Sequence, residues 1–425
     1  MDWSDYIDFT SGGIFAGVLG VESEVVGGAV TEYFTTRRRR GYELEGIPFW
    51  LLEKRRNLVC SYAHRYPSEA TGRYVEELKE WTGYGGVALF STGSEATEAF
   101  WRVARVYTGK PGIWGGLVDP DEVGKTEPGP TPDAMHGWTL GAMVMGKKVT
   151  IPALGKLEGY DLGDGLFGTS PEATGGMIME PYHAASGQFH RVEPTINRVL
   201  ARQKEFEMLL CLDEVQGGFG RTGKKFGYEW YEGLKPDFVC VGKAMGGGMP
   251  ISALLGPKEV MESEVVKEHG HLHSTHSGHP VMCAVASAVL REIKERNLVD
   301  VSFFKGMALA DELKGCGVRF HAGRGLLAGL EFRDAAEAKK VVEACERRKL
   351  LVVDTGRKWV KLGPPFVITD EDLVEGCRRL KKAIEEVLSE RETAADTAHG
   401  AGGSETSEGA GVLGEDGGPG TDLAG

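Results

Sequence analysis

Short, unbroken apolar runs alternate with amphipathic stretches through most of this chain. Val87-Ala88-Leu89-Phe90, Gly176-Met177-Ile178-Met179, Met208 to Leu212 and Phe238-Val239-Cys240-Val241 contain no polar side chain. Runs of four or five such residues read as strands buried on both faces. Ser94 to Tyr107 and Pro194 to Glu207 read as the intervening helices. Strands of this kind separated by helices predict an α/β fold with a mostly parallel sheet. A long helix from about Pro280 to Arg296 begins a different region. There the pattern predicts a strand near Leu326 to Phe332, helices near Ala335 to Arg348 and Asp370 to Leu388, and a short strand near Leu350 to Val353. The expected division is a large domain over residues 31–285 and a smaller α/β domain over 286–391, which residues 1–30 join as an N-terminal segment.

Two stretches break the pattern. Residues 392–425 are rich in Gly, Ala, Ser, Thr, Asp and Glu and almost lack large apolar side chains. Such a segment cannot offset the entropy of ordering and is expected to be a disordered tail. Gly115 to Asp133, dense in Gly, Pro and Asp, reads as a long loop, either shaping a pocket entrance or forming a surface insertion.

Composition narrows the function classes. At 425 residues the chain is long enough for a large domain with a companion. Its formal net charge of -13 argues against sequence-independent nucleic-acid binding, which draws on lysine and arginine. The short basic run Arg37 to Arg40 reads as solvated surface. No membrane-length apolar run and no signal-like start at Met1 to Asp5 are evident, so the expectation is a cytoplasmic protein without a membrane role. The seven scattered cysteines form no Cys-x-x-Cys pair, which favours free thiols over a zinc site.

The candidate chemistry sits at strand ends, where ligands of open α/β sheets collect. Thr92-Gly93-Ser94-Glu95 follows the strand at Val87. Its spacing is that of a helix capping box, and the same free N–H groups suit a phosphate. Lys243 follows Phe238 to Val241 and precedes Gly246-Gly247-Gly248. It reads either as an exposed lysine at a loop start or as a desolvated amine able to form a Schiff base. Asp213-Glu214 reads as a structural carboxylate pair, a Mg²⁺ site or the partner of a pyridinium nitrogen.

Together these residues resemble the class III aminotransferases, the pyridoxal phosphate (PLP) enzymes that include the ornithine, acetylornithine and ω-amino acid group. The resemblance is carried by Leu212-Asp213-Glu214-Val215-Gln216-Gly217-Gly218-Phe219-Gly220-Arg221-Thr222-Gly223 and by Val241-Gly242-Lys243-Ala244-Met245-Gly246-Gly247-Gly248-Met249-Pro250. Thr92 to Ala96, His136-Gly137, Glu180-Pro181, Ser274 to Pro280 and Pro364-Pro365 extend it over roughly Tyr6 to Leu388. The resemblance implies the type I PLP fold, with PLP on the large domain. It implies Lys243 as the Schiff-base lysine and proton shuttle, and Asp213 as the partner of the pyridinium nitrogen. Val215 is implied on one ring face, Gln216 at the phenolic oxygen, and Gly93 and Ser94 at the phosphate. Thr275 is implied to reach the phosphate of a neighbouring subunit, hence a homodimer with composite sites.

Departures from the family bear on the substrate. Before His136 the family usually has a stacking aromatic; here it is Met135. Many members place an arginine before the Pro-Pro segment to grip a substrate carboxylate, and a glutamate that covers it; the matching positions are Lys361 and Ala185. A lysine is a point charge, not a planar fork. The expected function is transfer of an amino group from an amine or amino acid to a 2-oxo acid or aldehyde. The altered positions leave a racemase, aminomutase or decarboxylase as the alternative, and a non-catalytic binding subunit as the remote one.

Overall fold

The computed structural model describes residues 5–39, 68–115, 134–145, 171–184, 187–189, 196–321 and 324–401. Strand β1 (Ile7–Asp8) lies near the start of the chain, and β2 (Gly86–Phe90), β3 (Gly112–Gly115) and β4 (Thr174–Met179) follow. A small hairpin, β5 (Tyr182–His183) and β6 (Gln188–Phe189), precedes β7 (Leu209–Asp213), β8 (Phe238–Val241) and β9 (Ser252–Gly256). The C-terminal region adds β10 (Arg319–His321), β11 (Ala328–Glu331), β12 (Leu350–Leu351), β13 (Val353–Asp354) and β14 (Trp359–Leu362).

The large sheet has the order β2-β9-β8-β7-β4-β3. Only β9 runs against its neighbours; β8, β7, β4 and β3 pair in parallel. Its strands are largely apolar because both faces are covered. Phe238, Cys240, Cys211, Leu254 and Ile178 face one core with Ala96, Ala99, Phe100 and Val103 of the helix Gly93–Thr108. The alternate residues Val239, Val241, Ala253 and Leu255 face a second core, completed by Cys283, Ala286 and Val289 of the helix Pro280–Glu295. Met177, Met179, Leu210 and Leu212 continue that face against Ile196 and Tyr231. The two-residue alternation of a strand and the helical spacing of 96, 99, 100 and 103 therefore meet in one interior.

The smaller sheet, β10-β11-β14-β13, is antiparallel. It packs with the helices Ala335–Arg347 and Asp370–Ala401. Near the N-terminus β1 pairs in parallel with β12, and Ile7 and Phe9 enter this same core. Two expectations change here. The stretch Leu350 to Val353 is two short strands in separate sheets rather than one. The last helix runs on to Ala401, past the expected start of a tail at residue 392. The helix is anchored by Leu373, Cys377, Leu380 and Ile384, and once a helix is nucleated good helix formers such as alanine and glutamate extend it. Residues 402–425 and most of the stretch Gly115 to Asp133 lie outside the described residues.

Arg221 joins the two regions. It is fully buried, and its guanidinium donates to the carbonyl oxygens of Leu326 (3.1 Å) and Pro364 (2.6 Å) and to Ser11 Oγ (3.1 Å). The Phe366 ring lies 4.8 Å from it. Burial pulls its pKa down to about 9, so it is still a cation at neutral pH. Arg221→Met removes these donors and strands two buried carbonyls. The expected loss is about 3 kcal/mol or more, seen as a lower urea midpoint by circular dichroism. An unchanged midpoint would mean those carbonyls find other partners.

Candidate active site

Because β9 is antiparallel to both β2 and β8, strands β2, β8, β7, β4 and β3 all point the same way. Their carboxyl ends share one edge of the sheet. Asp213 ends β7 opposite Cys240, Lys243 follows β8, Glu180 follows β4, and the helix starting at Gly93 follows β2. The fold thereby brings together residues spread over a hundred and fifty positions of sequence.

Lys243 is half-buried at this edge, and its backbone is left-handed at φ 44°. A side chain bearing a Cβ adopts that conformation at a cost of about 1 kcal/mol or more, a strain that gathers at functional positions. Desolvation lowers its ammonium pKa, opposed by the negative charges of Asp213 and Glu180. A lysine with a lowered pKa has the free amine that nucleophilic capture of an aldehyde needs.

Asp213 is buried, and both of its oxygens are held. Oδ2 lies 2.8 Å from His136 Nδ1, and Oδ1 accepts the Val215 N–H at 3.1 Å. His136 is fixed in turn by Thr97 Oγ1, which donates to its carbonyl oxygen at 2.7 Å. The His136 Nε2 atom is buried without a hydrogen-bond partner among the described residues. The carboxylate is thus oriented, and among the described residues no lysine or arginine lies within ion-pair distance of it, which suits it to hold a cationic ring nitrogen.

At the helix start, Thr92 and Glu95 form a reciprocal capping box. The capping reading of this stretch therefore holds. It does not exclude the other, since the N–H groups of Gly93 and Ser94 have no partner among the described residues and lie at the positive end of the helix. Ser94 Oγ accepts the Trp138 N–H at 3.0 Å. At Gly137, whose φ is 129°, a Cβ would fall 2.2 Å from that oxygen. A Cβ at Gly93 would fall 2.8 Å from Val215 Cγ1. The glycines let Val215 and the segment at Gly137 pack directly on the helix start.

On the other flank, Gln216 Oε1 accepts from Tyr182 OH (2.8 Å) and from Lys361 Nζ (3.2 Å). Lys361 comes from β14 of the smaller sheet, is buried, and also donates to the Ala184 carbonyl oxygen. The Phe15 ring lies 5.1 Å from its ammonium. Burial, and the nearby positive Lys243, pull its pKa down to about 7. Glu180 accepts the Met135 N–H at 3.1 Å, and burial pushes its carboxyl up to about 7. Met135 is half-buried against Phe15 and Tyr182.

Of the residues singled out from sequence, Lys243, Asp213, His136, Val215, Gly93, Ser94, Gln216, Met135 and Lys361 are gathered around this edge. Thr275 is exposed on the turn before the helix Pro280–Glu295. Ala185 lies outside the described residues. Glu180 and Tyr182 were missed as site residues. Glu180 stands at a strand end and was open to the same reasoning as Asp213, whereas no local signal marks Tyr182. Among the described residues no His, Cys, Asp or Glu cluster could hold a metal.

The residues present fit pyridoxal phosphate. An amine of lowered pKa, a buried carboxylate for a ring nitrogen and a helix start with unpaired N–H groups for a phosphate occupy one edge. The family model for class-III aminotransferases matches residues 164–384. The acetylornithine aminotransferase of Clostridium acetobutylicum is 31% identical over 338 residues, covering 76% of this chain and 83% of that protein. The ornithine aminotransferase of Oceanobacillus iheyensis is 30% identical over 353 residues, covering 80% and 83%. In structure, an omega transaminase variant from Pseudomonas jessenii superposes with a TM-score of 0.70 at 19% identity, over 90% of this chain and 89% of that one. The ornithine aminotransferase of Toxoplasma gondii gives 0.66 at 24% identity, over 91% and 87%. Strand-end chemistry, fold and family likeness converge: this chain belongs to the class-III, pyridoxal phosphate-dependent aminotransferases.

Proposed function

We propose that this aminotransferase moves an amino group from a primary amine or amino acid to a 2-oxo acid or aldehyde, using Lys243 as its amine and proton carrier. The observation that carries this reading is a strained, half-buried Lys243 with a lowered pKa, on the same sheet edge as Asp213. Bound pyridoxal phosphate supplies an aldehyde for covalent capture of an amine and a ring that takes up the electron pair left when the amine's α-proton departs. Lys243 provides the amine that anchors the group and, once displaced by substrate, carries that proton. Asp213, oriented by His136, holds the ring nitrogen protonated. Gly93 and Ser94 donate backbone N–H groups to the phosphate, Val215 lies against the ring, and the Gln216 amide reaches the ring oxygen. Met135 takes the place of a stacking aromatic and gives a weaker contact.

The test is an absorbance spectrum of the cofactor-loaded protein before and after single donors are added without acceptor. The panel includes ornithine and acetylornithine, the compounds named for its relatives. A visible band that one donor converts to a near-ultraviolet band is the expected result. Loss of CO₂ or epimerisation with the band intact would replace transfer by the alternative reaction. Absence of any band would remove the role of Lys243.

Lys361 is the buried cation available to a substrate carboxylate. Lys361→Ala is expected to raise KM for carboxylate substrates about tenfold, the scale of one lost charged contact, and to leave cofactor content unchanged. With its pKa near 7, the ammonium is present below that pH and lost above it. KM for a carboxylate donor therefore rises as the pH passes upward through about 7. A KM that ignores both the substitution and the pH would place the carboxylate elsewhere.

The chain works as a cytoplasmic homodimer in this reading. Six cysteines among the described residues are buried free thiols, as in a reducing compartment. Thr275, which is exposed, is the residue assigned in this reading to the phosphate of the partner's site.

A further inference from the structure

We propose that Tyr182 is a positioning residue which, together with Lys361, locks the Gln216 amide so that its nitrogen and not its oxygen faces the cofactor. The inference rests on the proposed place of Gln216 at the ring oxygen.

A side-chain amide has an acceptor end and a donor end of nearly equal size, and nothing in its shape decides which faces a ligand. Here the neighbours decide. The Oε1 atom has two lone pairs, and two donors fill them: Tyr182 OH at 2.8 Å and Lys361 Nζ at 3.2 Å. A lysine ammonium can only donate. The tyrosine hydroxyl keeps its proton, because burial pushes its pKa well above the usual range, and the nearby Glu180, Glu214 and Asp213 push the same way against Arg221. The ammonium therefore requires the oxygen, and the Tyr182 hydroxyl, which could donate or accept, donates to that same atom. The Gln216 nitrogen is left without a partner among the described residues, ready to donate to an oxygen anion.

Tyr182 itself is held on every side. It lies in β5, paired with Phe189 of β6. At Gly187, which closes this hairpin with φ 72°, a Cβ would fall 3.1 Å from the Ala328 backbone, so the turn sits directly on β11. The ring passes Gly217 so closely that a Cβ there would fall 3.0 Å from Tyr182 Cε1. Tyr231 OH donates to the carbonyl oxygen of the preceding Pro181 at 2.6 Å. The hydroxyl is thereby fixed relative to Gln216, while Lys361 is free to answer a substrate carboxylate as well.

The experiment is a pH titration of the visible band of cofactor-loaded protein, comparing wild type with Tyr182→Phe. An N–H donated to an oxygen anion favours the deprotonated state. Loosening that donor should raise the band's pH midpoint by about half a unit, with the far-ultraviolet circular dichroism unchanged. In a Gln216→Ala background the same substitution should move the midpoint no further, since the group it acts through is gone. Lys361→Met, which removes the other donor, should shift the midpoint in the same direction and likewise lose its effect in that background. An unshifted midpoint in Tyr182→Phe overturns the inference, as does a shift that persists without Gln216. A wild-type protein with no band at all fails at Lys243 instead, and so is distinguishable.

Discussion

Replacing Lys243 by alanine is expected to abolish turnover, with a loss on the order of 10⁴-fold or more, since covalent anchoring and proton transfer disappear together. The visible band should vanish as well. Folding should survive. Alanine and lysine both carry a Cβ, so the left-handed φ of 44° costs the variant no more than it costs the wild type. The deleted side chain also removes a desolvated amine, whose burial opposed the charged form. The variant is therefore expected to match the wild type in thermal midpoint within a few degrees or to exceed it. Mass spectrometry of borohydride-treated wild type should place the cofactor on the peptide containing Lys243. Turnover near wild type in the alanine variant, or the label on another lysine, would remove the mechanism.

Asp213→Asn is expected to have the second-largest effect. The substitution keeps the shape but removes the negative charge and one of the two acceptor oxygens. A ring nitrogen facing a neutral amide loses the charge that holds its proton. The electron pair released with the α-proton then has a weaker acceptor. The expected fall in kcat is on the order of 10²- to 10³-fold, the range of a lost electrostatic contact aimed at developing charge. Stability should fall by about 1 kcal/mol, because the single amide oxygen keeps the Val215 N–H while the amide nitrogen meets His136 Nδ1, which must then turn acceptor. Asp213→Glu restores the charge but lengthens the arm within a buried site of 2.8 Å and 3.1 Å contacts, and should recover only part of the rate. Single-turnover kinetics with a fixed donor separate this from a binding defect. A kcat within a few-fold of wild type would reassign Asp213 to a structural role.

Glu180 qualifies the electrostatics of both variants. It is buried beside Asp213 and His136, and its carboxyl is pushed up to about 7. Near neutral pH it is partly protonated, so the negative charge available to stabilise the Lys243 ammonium varies with pH. Glu214, raised to about 8, points away from this cluster and accepts the backbone N–H groups of Gly227 and Tyr228. The adjacent carboxylates Asp213 and Glu214 therefore do different work. Alternation along the strand end sends one to the site and the other into the turn that follows.

The central elements were legible in the residues alone. A run such as Phe238 to Val241, apolar on both alternating sets, has only one comfortable setting: a strand covered above and below. The helix Gly93–Thr108 announced itself by its capping box and its spacing. Lys243 and Asp213 stood out because a charged residue directly after such a strand must lie at the sheet edge. Less was visible where local pattern is weak. Strand β9, Ser-Ala-Leu-Leu-Gly, was not anticipated, and neither were β3 and β14 or the helices Glu69–Thr82 and Leu298–Glu312. The helix Leu298–Glu312 mixes apolar and polar residues without a clear face, and only packing selects its conformation. The antiparallel insertion of β9 is a matter of chain path, which no short window reports.

What the sequence determined by itself is the kind of fold, the strand-end positions and the class of chemistry, because each follows from local periodicity or from the residue type at a known kind of place. What only the tertiary structure decided is who meets whom. His136 bonds to Asp213 across 77 positions, Lys361 reaches Gln216 across 145, and Arg221 clasps Pro364 across 143. Tyr182 gains a role only because a short hairpin seats it between Gly217 and β11. Such contacts depend on how sheets and helices pack in three dimensions, and packing is a property of the whole chain, which no stretch of its residues records alone.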